Sequence, residues 1–244
     1  MPIIKSRSGV MEIAPDLYLL KLGPVNAHLV KDGQRLVLID TGLAGHAPKI
    51  KRCVEEIGCR LTDIHAILLT HSHSDHAGSA AELKEITGAK VYIGHNDAAL
   101  LRGELNPRRM KPAPGLVNRL LFMINLFVNS AIKKTVPDFE LYDGDQLEFA
   151  GGMQAIHVPG HCLGQMAFLW NRDGGILFAG DAMMNMGHLG WCVANEDLDT
   201  AKASLEKIGK LEFAIACFGH GKPLLSQASE RIRNFCRRDV RASL

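Results

Sequence analysis

Three histidines and an aspartate fall within six consecutive positions of the run Thr70-His71-Ser72-His73-Ser74-Asp75-His76-Ala77-Gly78. Imidazole nitrogens and carboxylate oxygens in this mixture suit zinc, iron or manganese, and no thiolate competes within the run. A loop leaving the end of a strand points neighbouring side chains in different directions, so one such run can serve more than one metal ion. Crowding that many titratable groups together with no ligand to satisfy them would be costly. Three later segments repeat a simpler pattern, in which an apolar strand is followed by a glycine and then one ligand-capable side chain. They are Val158-Pro159-Gly160-His161, Leu177-Phe178-Ala179-Gly180-Asp181 and Cys217-Phe218-Gly219-His220. Glycine allows a sharp turn and a close backbone approach at each. Any one of them is weak evidence; together with the first cluster they form a joint signal.

The elements that must position these residues alternate between strand and helix. Leu17–Leu22, Ala27–Lys31 and Arg35–Ile39 read as strands broken by Gly23-Pro24 and Asp32-Gly33. Ile50, Cys53, Val54 and Ile57 fall at helical spacing before Gly58, and Ala66–Leu69 is a continuous apolar strand running into the histidine cluster. His76–Ile86 reads as a helix ending at Gly88, followed by a strand at Lys90–Ile93. A second strand-rich stretch covers Gln146–Phe149, Met153–Val158, Met166–Trp170, Gly175–Phe178 and Phe213–Phe218. Helices are expected at Asp199–Ile208, capped by Asp199, and at Leu224–Val240. Strands and helices arranged twice suggest two packed β-rich halves with helices outside.

Residues 97–137 stand apart as a helical insertion. Leu116–Ile132 reads as an amphipathic helix, with Asn118, Asn125 and Asn129 on one side. The other side carries Leu116, Leu120, Met123, Ile124, Phe127 and Ala131. Core packing, a lid or pocket wall including Met123 and Phe127, a dimer contact and membrane-surface contact all remain open for that apolar face. A flexible loop, Met183–Trp191, offers His188 and Trp191 as further candidates for lining a pocket.

Composition narrows the class. The 244 residues include 28 Lys and Arg against 26 Asp and Glu, with 47% apolar and 22% charged residues. These values exclude wholesale disorder, and the near-neutral balance argues against a general polyanion binder, so nucleic acid is not the expected partner. The basic run from Arg231 to Arg241 reads as a solvated helix face, with phosphate or nucleic-acid contact as the alternative. No apolar stretch is long enough for a membrane span, and the opening Met1–Ser8 lacks an export core, so a cytoplasmic location is expected. Cys53, Cys59, Cys162, Cys192, Cys217 and Cys236 are scattered without a paired spacing and are expected to be free thiols.

The series His71-x-His73-x-Asp75-His76, His161, Asp181, His220 resembles the metallo-β-lactamase superfamily over nearly the whole chain. Asp40-Thr41-Gly42 looks like that family's early aspartate turn. The resemblance implies one α+β domain over residues 1–244: an αββα sandwich of two mixed sheets with helices on both outer faces and a metal site at one edge. It further implies two divalent ions, with zinc favoured over iron or manganese. His71, His73 and His161 would hold one ion, Asp75, His76 and His220 the other, and Asp181 would bridge them. A bridging hydroxide would attack a carbonyl or phosphoryl centre. Asp75 and Asp181 are the catalytic carboxylates in this scheme; Asp75 steers the nucleophile or shuttles a proton, or serves as a ligand alone. Asp40 would orient a ligand by hydrogen bonding. Two positions depart from the family pattern. Gly78-Ser79 stands where two glycines are common, and Cys162 stands where threonine usually follows the Pro-Gly-His turn; it reads as a packing residue, with a redox-sensitive thiol as the alternative.

The expected function is hydrolysis of a small-molecule ester, lactone, thioester or lactam, leaning towards lactonase-like acyl substrates because of the apolar insertion. A phosphodiesterase or nuclease on the same scaffold is the alternative, and an iron-dependent oxidoreductase a weaker one.

Overall fold

The computed structural model describes residues 9–125 and 132–242. The chain begins with an antiparallel meander of β1 (Val10–Ala14), β2 (Leu17–Lys21), β3 (Asn26–Asp32) and β4 (Arg35–Ile39). Helix α1 (Ala47–Glu56) then crosses over to β5 (Ile64–Leu68), which pairs parallel with β4. The short α2 (Ser74–Ala77) and α3 (Ala80–Thr87) lead to β6 (Lys90–Gly94), parallel to β5. The insertion holds α4 (His95–Leu101), the two-residue β7 (Lys111–Pro112) and α5 (Leu116–Asn125), and β8 (Phe139–Leu141) completes a sheet ordered β1-β2-β3-β4-β5-β6-β8.

The second sheet is built from β9 (Gln146–Leu147), β10 (Met153–His157), β11 (Met166–Trp170) and β12 (Ile176–Phe178). After β13 (Met184–Asn185), β14 (Leu189–Gly190), β15 (Ala194–Asn195) and α6 (Leu198–Ile208), β16 (Ile215–Cys217) adds parallel to β12. The order is β16-β12-β11-β10-β9, and α7 (Ala228–Ala242) follows. β15 pairs with β7, tying the insertion to the second half of the chain.

Strand alternation explains the layers. On β4, Leu36 and Leu38 face the helices α1, α3 and α4, whereas Val37 and Ile39 face the other sheet. On β11, Met166, Phe168 and Trp170 meet them from the opposite side, while Ala167 and Leu169 turn out towards α6 and α7. Three apolar layers result, one between the sheets and one under each set of helices. The expected αββα sandwich is therefore borne out.

Three expectations need correction. The helix proposed for His76–Ile86 is two helices, interrupted at Gly78-Ser79. A Cβ on Gly78 would lie 2.4 Å from the Ala44 nitrogen, so the loop after β4 packs where a continuous helix surface would stand. The cap of α6 is Asp197, whose carboxylate accepts the Thr200 N–H at 2.7 Å, and Asp199 lies within the first turn. The closing helix begins at Ala228, because Leu224 exchanges backbone hydrogen bonds with Ala216 instead. The insertion helix is described as far as Asn125; Phe127 and its neighbours at 126–131 lie outside the described residues. All six cysteines are free.

Candidate metal centre

Five strands end at one edge of the sandwich. Asp40 follows β4, Thr70 and His71 follow β5, and His161, Asp181 and His220 follow β10, β12 and β16. Asp40 adopts φ 60°, a left-handed turn that aspartate tolerates and that aims its carboxylate at the β5 loop. There it accepts the Thr70 N–H at 2.8 Å and the Thr70 hydroxyl at 2.9 and 3.0 Å, and it takes the His76 Nδ1–H at 2.8 Å. Because the Thr70 proton goes to a carboxylate, its oxygen accepts the His71 Nδ1–H at 3.0 Å. Asp40 thus fixes His76 directly and His71 through Thr70, leaving both Nε2 atoms facing inward. On the other sheet, carbonyls do the same: His161 Nδ1 donates to Ala194 at 2.7 Å and His220 Nδ1 to Pro24 at 2.9 Å.

These side chains converge as two sets. His71, His73 and His161 bring their ligand atoms within 4.8 Å of one another, and Asp75, His76 and His220 do so beside them. Asp181 reaches both: Oδ2 is 3.8 Å from His161 Nε2 and 3.2 Å from His220 Nε2, while Oδ1 is 3.5 Å from His76 Nε2. Of the predicted ligands, all seven are brought together.

The donor set fits a divalent cation on physical grounds. His71 Nε2, His76 Nε2 and Asp181 Oδ1 are buried and have no hydrogen-bond partner among the described residues. Each such atom costs about 1–3 kcal/mol if left so, and cations bound between the two ligand sets would satisfy all three. Electrostatics agree. Burial, helped by neighbouring imidazoles, pushes His71 well below its ordinary value and His73 down to about 4, so both offer lone pairs at neutral pH. Burial also lowers His161. Burial alone would lower His76 and His220 too, but Asp181 and Asp75 reverse it, holding His76 at about 9 and His220 well above the usual range. Asp181 and Asp75 stay ionised despite burial, because His76 and His220 face them. The two carboxylates demand positive charge at this point.

Two buried groups were not foreseen from the sequence. The Cys192 thiol donates to Asp181 Oδ2 at 3.2 Å and sits within ligand distance of His161. Burial and Asp181 push that thiol well up, so it stands as S–H. Asp97 is fully buried and takes the Ser72 N–H at 2.9 Å, the Gly164 N–H at 3.0 Å and Arg108 Nη1 at 3.1 Å. It therefore ties the loop carrying His71 and His73 to the loop carrying His161. Asp97 also accepts the Cys162 S–H at 3.4 Å, and burial beside this carboxylate raises that thiol well above its ordinary value. Cys162 accordingly serves as a packing and hydrogen-bonding residue. The signal for Asp97 was present: Gly94-His95-Asn96-Asp97 repeats the pattern of strand end, glycine and polar group.

A cavity of about 430 Å³ opens beside His73. Its walls are largely apolar, from Leu100, Leu101, Leu105, Met110 and Ile132, with Arg108, Lys134 and Glu196 as the charged residues among them. Three of the residues expected to line a pocket are placed outside this cavity. His188 is exposed, Trp191 packs on Phe235 with ring centroids 6.0 Å apart, and Met123 is exposed on α5. None of these three lines the cavity. Of the remaining histidines, His28 is a core residue edged against Phe178, and His95 pairs with Glu140 at 2.6 Å.

A family model described as the metallo-beta-lactamase superfamily matches residues 20–220. The chain belongs to this superfamily. Among curated members, the "Uncharacterized protein YobT" of Bacillus subtilis is 32% identical, over 87% of this chain and 89% of that protein. The "Probable metallo-hydrolase YflN" of the same organism is 28% identical over 92% and 91%. The "Thioesterase pkgB" of Emericella nidulans is 28% identical over 85% of this chain and 48% of its own length. Among solved structures, the subclass B3 metallo-β-lactamase BJP-1 of Bradyrhizobium japonicum superposes with a TM-score of 0.70 at 21% identity, covering 96% of this chain and 93% of that one. That likeness shows the shared metallo-β-lactamase fold.

Proposed function

We propose that this metallo-β-lactamase superfamily member is a two-metal hydrolase acting on the carbonyl of a small acyl ester, lactone or thioester. The observation that carries the reading is the placement of Asp181 between two complete ligand sets, one of three imidazoles and one of Asp75, His76 and His220. His71, His73 and His161 would hold one ion, Asp75, His76 and His220 the other, and Asp181 would touch both. Zinc is the favoured metal, since imidazole and carboxylate ligands suit it. Bound there, two divalent cations supply an acidified water near neutral pH and charge that opposes a developing oxyanion.

The chain's own residues do the rest. Asp75, one-third exposed, lies 3.3 Å from His220 Nε2 and is the carboxylate open to a substrate-side proton. Asp40 holds His76 and, through Thr70, His71, so that neither ring can rotate away from the centre. The cavity beside His73 receives the acyl part of the substrate, and its apolar walls favour a carbonyl substrate over a phosphodiester. The thioesterase named among the relatives supports an acyl substrate class.

The test is acid release by the metal-loaded protein on a panel of short and long acyl esters, acyl lactones, thioesters, a β-lactam and a phosphodiester. Turnover of an acyl carbonyl class is expected. Turnover confined to the phosphodiester would overturn the reading.

A further inference from the structure

The insertion has a second property that the metal centre does not use. From Leu105 to Pro137 the sequence contains no Asp or Glu, yet it holds Arg108, Arg109, Lys111, Arg119, Lys133 and Lys134. The rest of the chain carries 22 basic residues against all 26 acidic ones, so positive charge is concentrated here. Arg108 is neutralised by Asp97 and Glu196, and Lys133 by Glu85. Arg109, Arg119 and Lys134 form no ion pair among the described residues.

Helix α5 lies within this acid-free stretch. Asn118 and Phe122, one turn apart, are its half-buried positions, and the Asn118 amide donates to the Pro114 carbonyl at 2.7 Å. Of the other described apolar side chains, Leu116 is 83% exposed, Val117 70%, Leu120 63% and Met123 56%. With Leu121 they span one contiguous side of the helix at about 100° per residue, and Arg119 borders it. An exposed greasy face of this kind signals a binding surface. A second copy of the chain is a poor occupant, because a symmetric contact would press two acid-free cationic segments together. A surface that is apolar within and negative at its boundary complements both properties.

We propose that α5 docks the protein on an anionic lipid surface, with Leu116, Val117, Leu120, Leu121 and Met123 entering the acyl boundary and the flanking cations meeting headgroup phosphates. No helix among the described residues is long and apolar enough to cross a membrane, so the contact is interfacial. Met110 and Leu105 line the cavity beside His73 and precede α5 closely in sequence, and Leu105 is itself 56% exposed. Docking would therefore turn the acyl cavity towards a source of acyl chains.

The test is co-sedimentation of the full-length, metal-loaded protein with phosphatidylcholine vesicles, with and without phosphatidylglycerol. Binding about tenfold stronger to the anionic vesicles is expected, and it should weaken as salt rises from about 0.1 M to about 0.5 M. The double variant Leu116→Ser, Leu120→Ser and the single variant Arg119→Glu should each lose most of that binding. Both should keep wild-type turnover of a short, water-soluble ester, which separates docking from hydrolysis. Failure of the wild type to bind anionic vesicles would overturn the proposal, as would undiminished binding by the double variant. A lipid-free dimer that the double variant dissolves would overturn it too, by assigning the face to a second copy.

Discussion

Replacing Gly219 with alanine adds one methyl group at the point where the second sheet meets the centre. A Cβ there would lie 2.2 Å from Asp181 Oδ1 and 2.5 Å from His76 Cε1. Carbon and its neighbours settle at about 3.5 Å, so the carboxylate must withdraw by about 1 Å. Neither neighbour has room to move. His76 is fully buried and held at Nδ1 by Asp40, and Asp181 is 3% exposed. The backbone is pinned as well, since Gly219 N–H donates to Gly180 at 3.0 Å and its carbonyl accepts from Asn26 at 2.8 Å. Gly219 lies outside the left-handed region, so the effect isolates the contact from backbone strain. Displacement on this scale should lower kcat/KM about a hundredfold, while overpacking should cost about 1–3 kcal/mol of stability. Metal content by mass spectrometry, thermal melting and ester hydrolysis together read these effects. Gly209→Ala is the control, because Gly209 has φ −62° and its nearest added contact is 3.4 Å; it should leave all three readouts unchanged. Full metal content and turnover in Gly219→Ala would show that the centre tolerates the added methyl group.

Asp40→Asn keeps the size of the side chain but puts an N–H where a donor already points, so one of three donors loses its acceptor; metal affinity should fall about 10–100-fold, measured by competition with a chromogenic chelator. Met110→Trp fills the cavity beside His73, so kcat/KM for an octanoyl ester should fall about tenfold or more while an acetyl ester is turned over within about twofold of wild type. At the surface, Lys84 and Lys90 hold the Asp138 carboxyl at about 2 against the effect of burial. A depressed folded value contributes stability above the unfolded value near about 4 and loses it as the pH falls towards about 2. Asp138→Asn should therefore cost about 1 kcal/mol at pH 7 after solvent screening, with the difference vanishing across that acid window in urea titrations.

Much of the centre was legible because its chemistry sits where apolar strands stop. Ile64–Leu68 is buried on both faces and hands over directly to Thr70 and His71, and β10, β12 and β16 each end near a glycine and a single ligand. What could not be read was the far side of a helix. The spacing of Leu116, Leu120 and Met123 defines a face but not what covers it, and in the structure that face is exposed. The cavity was illegible for a different reason: its walls come from Ser72 to Glu196 and meet only in the folded chain. Cys192 approaches Asp181 across the loop that follows β12, a contact no spacing announces. The break between α2 and α3 was hidden because the apolar pattern continues through Gly78, and the interruption comes from the β4 loop packing against it.

The most direct test of the two-metal centre is metal stoichiometry measured alongside ester turnover, for the wild type and for Asp181→Ala. Asp181 stands between the two ligand sets and carries the buried Oδ1 that has no hydrogen-bond partner among the described residues. The wild type should hold two divalent ions per chain and lose turnover when a chelator removes them, with zinc restoring it. Asp181→Ala should hold fewer ions and show no turnover. Full turnover in the exhaustively chelated wild type, or two ions and full activity in Asp181→Ala, would contradict the two-metal reading.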